Sequence, residues 1–419
     1  MIKLLIREIR ELFTFKGLLV ILYGLPVAIF IRIINKILLV RIMSINSDRI
    51  GELIINPAIY LYQKEKGINK MGLLQLDIFF MKVKPINDQI FKMLKRKIIV
   101  LPKFFINPIF EAQKKLSYIF KNSEKYYPMK QRKFKFHYID NLPQSKKNIN
   151  FLKIEEDRGR REIFEKFGIT TNDKFVCFLI RDQEFLKKIY PNLNFDYHEY
   201  RNINPPNFMS AAETLSKRGY HVFRMGKHQG QGFESNNPRI IDYANSKFRS
   251  DFLDIYLSSH CTFFLTTMSG LDNLLPVFNI PSIAIPLNLA IARQYKNYLI
   301  STKTFLNRED KKISLRELFE KNLIFRQKKQ DFDNENIRPI DPSPQQIEKL
   351  IVEMDDHIIN SKPYTEEENY LNDKFWNIYS YYYNKDKNAS QEIKKNGKLK
   401  IYSRFDINFL KENHDWFLN

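Results

Sequence analysis

The 419-residue chain predicts an α/β protein of two doubly wound halves behind an apolar N-terminal segment. Three observations predict it. Short apolar runs of strand type alternate with segments whose apolar residues recur at helical spacing. The run 174–181, KFVCFLIR, is almost continuously apolar, as a parallel strand covered on both faces must be. Glycine is scarce, 13 in all, yet Gly219, Gly226, Gly230, Gly232 and Gly270 gather beyond strand ends, where doubly wound sheets do their binding.

Residues 1–36 read as a membrane-associating segment. Residues 17–31, GLLVILYGLPVAIFI, carry no charge; Lys3, Arg7, Arg10 and Lys16 precede them, and Arg32, Lys36 and Arg41 follow. That run rises about 22 Å, short of the ~30 Å hydrocarbon core, and Pro26 interrupts it. No small-residue cleavage site follows, which rejects an exported signal peptide. The favoured expectation is an interfacial or re-entrant anchor with its cations at headgroup level. A short spanning anchor aided by snorkelling of Lys16 and Arg32, and a buried core helix, are the alternatives.

The first domain, 37–150, reads strand 37–43, a helix with Leu53, Ile54, Ala58, Leu61 and Tyr62 on one face, strand 76–82, helix 86–94 and strand 97–102. From Phe91 to Lys135 lysines and aromatics such as Phe104, Phe105, Tyr118 and Phe134 interleave, with Glu111 and Glu124 the only acids. Such a stretch suits single-stranded nucleic acid, but no nucleic-acid-binding motif accompanies it, so no nucleic-acid partner is expected. Beside the apolar segment, an anionic membrane surface is the simpler partner. Residues 123–150 read as a linker.

The second domain, 151–330, reads strand 174–181, a polar loop, a helix ended by Gly219, strands 220–226 and 239–244, a helix capped by Ser250, strand 261–267, helix 269–279 and strand 281–287. Helices follow at 313–325, 342–358 and 366–384. Residues 331–419 form a C-terminal helical region expected to pack back on the N-terminal half. There Trp376 and Tyr379–Tyr383 read as core rather than a sugar platform.

Composition narrows the chemistry. Sixty-eight Lys and Arg against 47 Asp and Glu give +21 at pH 7, which favours nucleic acid, anionic membranes or phosphorylated small molecules. Two cysteines exclude a disulfide scaffold and point to a reducing cytoplasm. The absence of GxxxxGK[ST] and GxGxxG patterns argues against a Walker ATPase or dinucleotide site. No ligand cluster has metal spacing, and the pair Asp331 and Asp333 lies outside the sheet pattern. No metal and no cofactor are expected.

The candidate site lies past the strand ends. Ser269 and Gly270 open a helix after Thr266, Thr267 and Met268, where free amides can hold a phosphate; a plain cap beside a packing glycine is the bland alternative. Arg181 and Arg224 end strands and could clamp a diphosphate with the bidentate fork that only Arg offers, and Gly226 follows Arg224 closely. The loop DYHEYRN groups Asp196, His198, Glu199, Arg201 and Asn202, with His198 an acid, base, donor ligand or structural residue. Asp251 and Asp254 need no more than compensation of their helix dipole.

The run from FLIRD through DYHEYRN, RMG, IDYA and SDFLDIYL to TTMSGLDNLLPVFNIPSIAI resembles a family of bacterial glycosyltransferases of surface-polysaccharide gene clusters. NSDRIGELIINPAIYL resembles that family's first loop and helix, so the likeness spans about 37–290. It implies a GT-B-like fold, two Rossmann-like domains facing a cleft. A nucleotide-sugar donor would sit in the second domain near Arg181, Arg201, Arg224, Gly226, Ser269 and Gly270, with Asp242 and Tyr243 near the nucleotide. Catalysis would be metal-independent, with positive groups stabilising the departing diphosphate. A glycan or lipid-linked acceptor would meet the first domain near Asn46–Glu52. If the anomeric centre inverts, Glu52, Asp48, Asp182 or His198 is the base. The implied location is the cytoplasmic face of the inner membrane. A non-catalytic nucleic-acid-binding or scaffold protein, and a pyruvyl or phosphosugar transferase on a similar double fold, are the competing readings.

Overall fold

A computed structural model describes residues 14–68, 70–71, 74–128, 142, 145, 149–182, 184–189, 191–227, 230, 232–290, 298–385, 401 and 403–418. Lys3, Arg7, Arg10, Phe134 and most of the 123–150 linker lie outside them. The chain divides into two units, Met1–Phe151 and Leu152–Asn419.

In the first unit, strands β1 (Leu38–Ile45), β2 (Leu74–Met81) and β3 (Ile99–Val100) run parallel in the order β1-β2-β3. Among the described residues four longer helices accompany them: α1 (Phe15–Lys36), α2 (Ile50–Glu65), α3 (Asp88–Lys95) and α4 (Lys103–Ile119). Both crossovers, through α2 and α3, advance in one direction, so right-handed connection places both helices on one face. There Tyr60 of α2 meets Phe79 edge-on at 4.8 Å and donates its hydroxyl to Asp77 at 2.6 Å, while Arg41 pairs with both Asp77 oxygens at 2.5 and 2.7 Å. The opposite face is covered by α4 and α1, where Val40, Ile42 and Phe80 share a core with Ala28, Ile31, Ile106 and Phe110. Helices therefore cover both faces of this sheet. α1 is one continuous helix across Pro26. Proline has no N–H to continue the ladder, and the preceding turn, Val20–Gly24, widens to a π-helix in which the Leu25 amide reaches the Val20 carbonyl.

The second unit follows the expectation closely. Its seven-stranded parallel sheet runs β12-β9-β8-β7-β4-β5-β6, with β4 (Lys174–Leu179), β5 (Tyr220–Arg224), β6 (Ile240–Ile241), β7 (Phe264–Thr266), β8 (Ser282–Ala284), β9 (Tyr298–Ile300) and β12 (Arg404–Phe405). β10 (Thr304–Leu306) and β11 (Arg338–Ile340) form a separate antiparallel pair. From β4 the chain winds outward through β5 and β6, then returns beside β4 with β7 and winds the other way. The topological switch point therefore lies between the carboxyl ends of β4 and β7. The principal helices are α5 (Lys153–Phe167), α6 (Met209–Lys217), α7 (Asp251–His260), α8 (Pro344–Glu353) and α9 (Glu366–Lys385). The Ser250 hydroxyl caps α7 by accepting from the Leu253 amide at 3.1 Å, and Ser343 caps α8 with Pro344 at its first position.

Two expectations change. The C-terminal region belongs to the second unit: β12 adds to the sheet edge parallel to β9, and α9 buries Phe375, Trp376, Tyr379 and Tyr383 against Phe405, Phe409 and Trp416. Trp376, Tyr379 and Tyr383 are core, as read, whereas Tyr381 is exposed. The helix expected at 269–279 is a 3₁₀ turn, Gly270–Leu274, running into a single α turn, Leu275–Phe278, because Pro276 cannot donate to a longer ladder.

Candidate nucleotide-sugar site

The chain leaving β4 and the chain leaving β7 are tied together at the switch point. The Thr267 amide donates to the Leu179 carbonyl at 3.1 Å, and the Arg181 amide donates to Thr267 Oγ1 at 2.8 Å. Met268 comes next with φ +65°, a left-handed conformation a side chain adopts at a cost of about 1 kcal/mol or more. The surrounding bonds hold it there: its amide donates to Thr266 Oγ1 at 2.9 Å, and its carbonyl accepts from the Arg201 guanidinium at 3.1 Å. The 3₁₀ turn Asp196–Arg201 thus delivers Arg201 to the loop that Arg181 already touches.

The electrostatics of this corner are unbalanced toward cation. Arg181 Nε is buried and finds no hydrogen-bond partner among the described residues. Burial first, then the charge of Arg201, lowers the Arg181 pKa to about 10. Burial also lowers that of Arg201. The balancing group is Asp272, which sequence reasoning missed because it is one letter of the apolar-spaced SGLDNLLPVFN run. Its carboxylate accepts from the Ser269 amide at 2.9 Å, from Thr266 Oγ1 at 3.3 Å and from Asn273 at 3.1 Å. Burial pushes its pKa up to about 7, against the pull of the Ser269 and Thr266 donors and of both arginines. An anion with several oxygens placed beside Arg181 and Arg201 would relieve the mutual repulsion and give Nε its partner.

The structure separates the expected donor residues into two groups. Arg181, Arg201, Ser269 and Gly270 come together at the switch point, although Ser269 spends its amide on Asp272 and the short 3₁₀ turn carries little dipole. Arg224 is different. It has no exposed surface; its Nη1 donates to Asp242 at 2.9 Å and Asp182 lies 3.9 Å away, so two carboxylates balance its charge inside the fold, although its Nε and Nη2, like Arg181 Nε, are buried without a hydrogen-bond partner among the described residues. Asp182 also accepts from the Gly230 amide at 2.8 Å, and Gly232 is packed so tightly that a Cβ would lie 2.3 Å from Asp242. Gly226 supplies the φ of +139° that starts this loop. Asp242 thereby positions Arg224. Tyr243 is fully buried and donates its hydroxyl to Asp254 at 3.0 Å, a framework role rather than one beside a nucleotide. His198 is half-buried on the turn that carries Arg201, its ring 4.1 Å from that of Tyr197. In the first unit, Glu52 sits in the first turn of α2, past the carboxyl end of β1, and accepts from Asn46; Asp48 is exposed in the loop before it. Among the described residues no cluster of His, Cys, Asp or Glu has the makings of a metal site.

No protein-family model matches the chain, and no curated protein sequence does. Solved structures with a similar fold include a glycosyl transferase family 9 protein from Veillonella parvula, at 12% identity and TM-score 0.34, over 58% of this chain and 80% of that one. The ADP-heptose LPS heptosyltransferase II of E. coli gives 11% and 0.33, over 58% and 84%. The dodecameric iron-containing heptosyltransferase TibC, solved with ADP-D-β-D-heptose, gives 14% and 0.32, over 61% of each chain. At superposition this loose, strand order and site geometry alone bear on function.

Proposed function

We propose that the protein is a glycosyltransferase whose second unit binds a nucleotide-sugar donor at the β4–β7 switch point. One observation carries this reading: two arginines converge there, one with a buried unsatisfied Nε, and Asp272 is the buried carboxylate set against them. In the proposed mechanism Arg181 and Arg201 take the pyrophosphate oxygens and stabilise the charge that grows as the glycosidic bond to the leaving diphosphate breaks. That interaction strengthens from ground state to transition state, so it raises kcat and not only affinity. The acceptor hydroxyl loses its proton to a carboxylate or imidazole. Asp182 is committed to Arg224 and Gly230, which leaves Glu52, Asp48 and His198 for that role. The acceptor is a glycan or lipid-linked glycan, and the site of action is the cytoplasmic face of the inner membrane, where the apolar α1 and its flanking cations associate with anionic lipid. The chemistry needs no metal, since two guanidinium groups supply the positive field.

The test is a thermal-shift panel of UDP-, GDP-, CMP- and ADP-sugars, followed by titration calorimetry. One class should raise the melting temperature, by ~2–4 °C per kcal/mol of ligand stabilisation in a domain of this size. Arg181→Ala and Arg201→Ala should each sharply reduce the shift at a fixed donor concentration while folding persists. A panel without response, or one unaffected by both substitutions, defeats the proposal. Salt-steep binding to any DNA would favour the nucleic-acid alternative.

A further inference from the structure

We infer that α1 and α4 together form a monotopic platform that lies in the plane of an anionic bilayer and does not cross it. The inference rests on the membrane association proposed above and specifies its geometry.

By length and composition α1 could span: it has 22 residues, about 33 Å of helix, with a mean hydropathy of 2.4 over its most apolar 18 residues. Its two sides are nevertheless unlike. Gly17, Gly24, Ala28 and Ile31 are buried along one side, and Gly24 is so close to α4 that a Cβ would lie 2.3 Å from the Pro108 carbonyl oxygen. On the other side Phe15, Leu18, Leu22, Ile29 and Ile33 are exposed, Leu22 by 74% and Ile33 by 71%. They recur at helical spacing and form one apolar stripe. Arg32, which a spanning helix would send outward to the headgroups, is turned inward instead. Its guanidinium donates to Gln113 at 3.0 Å and to Ser123 at 3.1 Å, and lies over the rings of Tyr126 (4.6 Å) and Phe120 (5.2 Å).

These contacts fix the helix to the unit. α4 packs on the sheet through Phe110 and Phe80, 5.3 Å apart, and carries Glu111, Lys114 and Lys115 beside Gln113, level with the last turns of α1. Driving α1 across a bilayer would drag those charges and the polar Arg32–Gln113–Ser123 cluster into hydrocarbon, at a cost that its apolar stripe does not require. Laid flat, the stripe sinks into the acyl boundary while everything behind it stays in water. The exposed Ile119 and Phe120 extend it next to Arg32. Around that end Lys36 and Lys121 are exposed, Lys125 donates to Asn35 at 3.1 Å, and Glu124 is the only acid from Ala112 to Pro128. The charge complements an anionic leaflet.

Flotation of the full-length protein with vesicles of phosphatidylcholine, with and without phosphatidylglycerol, tests the platform. Binding should need the anionic lipid and fall roughly fivefold for each of Lys36→Gln and Lys121→Gln, the equivalent of ~1 kcal/mol per basic side chain. Leu22→Glu with Ile33→Glu should abolish flotation and leave sugar-nucleotide thermal shifts unchanged, so a failure here is distinguishable from failure of the enzymatic reading. Depth-dependent quenching of a fluorophore placed at position 22 or 33 decides orientation: equal, shallow depths support the platform. A deep position 22 with a shallow position 33 shows a spanning helix and overturns it. Loss of concentration-dependent dimerisation in the glutamate variant, without any vesicle binding by the parent protein, would assign the stripe to a second copy of the chain and also overturn it.

Discussion

Arg181 and Asp272, as individual side chains, would set the chemistry of the proposed donor site. Charged hydrogen bonds to a buried guanidinium are worth about 1.5–3 kcal/mol. Arg181→Ala should therefore weaken donor binding by one to two orders of magnitude, measured by calorimetry, and Arg181→Lys should recover little because a point charge cannot replace the fork. Asp272 adds a pH signature. Its carboxyl titrates near 3.8 when unfolded and near 7 when folded, so between those values the native state holds a proton the unfolded chain has lost. Stability consequently falls as pH rises from about 4 to 7, by at most ~1.4 kcal/mol per unit, and levels off above. Donor binding moves the same way: protonation of Asp272 below pH 7 removes the negative charge beside Arg181 and Arg201 and tightens the site for an anion. Asp272→Asn should flatten both profiles, read by denaturant titration and by calorimetry across pH 5.5–8.5.

Individual helices depend on small local decisions. α7 starts where the Ser250 hydroxyl meets the Leu253 amide, and Ser250→Ala should cost about 1 kcal/mol in a chemical melt. α1 depends on Gly24. Gly24→Ala would put a methyl into the Pro108 carbonyl, and the outer helix must shift or detach, with a loss on the order of 1–3 kcal/mol and faster proteolysis near Pro26. The same helix shows why sequence patterns mislead about breakers. Pro26 interrupts an α ladder in principle, yet a π turn before it absorbs the missing donor and the helix continues. α4 escapes a sequence reading for a similar reason: Pro108 and the many lysines around it suggest a loop, whereas the packed Ile106, Ile109, Phe110, Ala112 and Leu116 make it a helix. The helical spacing of those apolar residues is the signal that could have found it.

Over the molecule as a whole, charge and topology act together. The net +21 makes association with any anionic surface strongly dependent on ionic strength, so flotation should weaken steadily between low and physiological salt. Donor binding inside the second unit, among half-buried groups, should change far less over the same range. The second unit is wound in both directions about β4, which leaves one crevice at its strand ends. In the first unit one face of the sheet is covered by α4 together with α1, the helix with an apolar outer stripe.

Much of this was legible in the amino-acid order: the alternation of strands and helices, the parallel character of the sheets, the cap at Ser250, and the gathering of Arg181, Ser269 and Gly270 beyond strand ends. Periodicity, burial and capping are local, and each leaves its mark in a few neighbouring letters. Partnership was not legible, and it came with the three-dimensional fold. Arg181 and Arg224 end adjacent strands with the same local pattern and both keep buried unmatched nitrogens, yet Arg181 lies beside a second arginine, Arg201, while Arg224 has Asp182 and Asp242 beside it. Asp272 becomes a buried counter-charge, and Arg32 turns inward to Gln113 and Ser123. Each outcome depends on a charge that arrives from tens of residues away, or on burial by such segments, and a side chain's charge carries no local record of what will neutralise it.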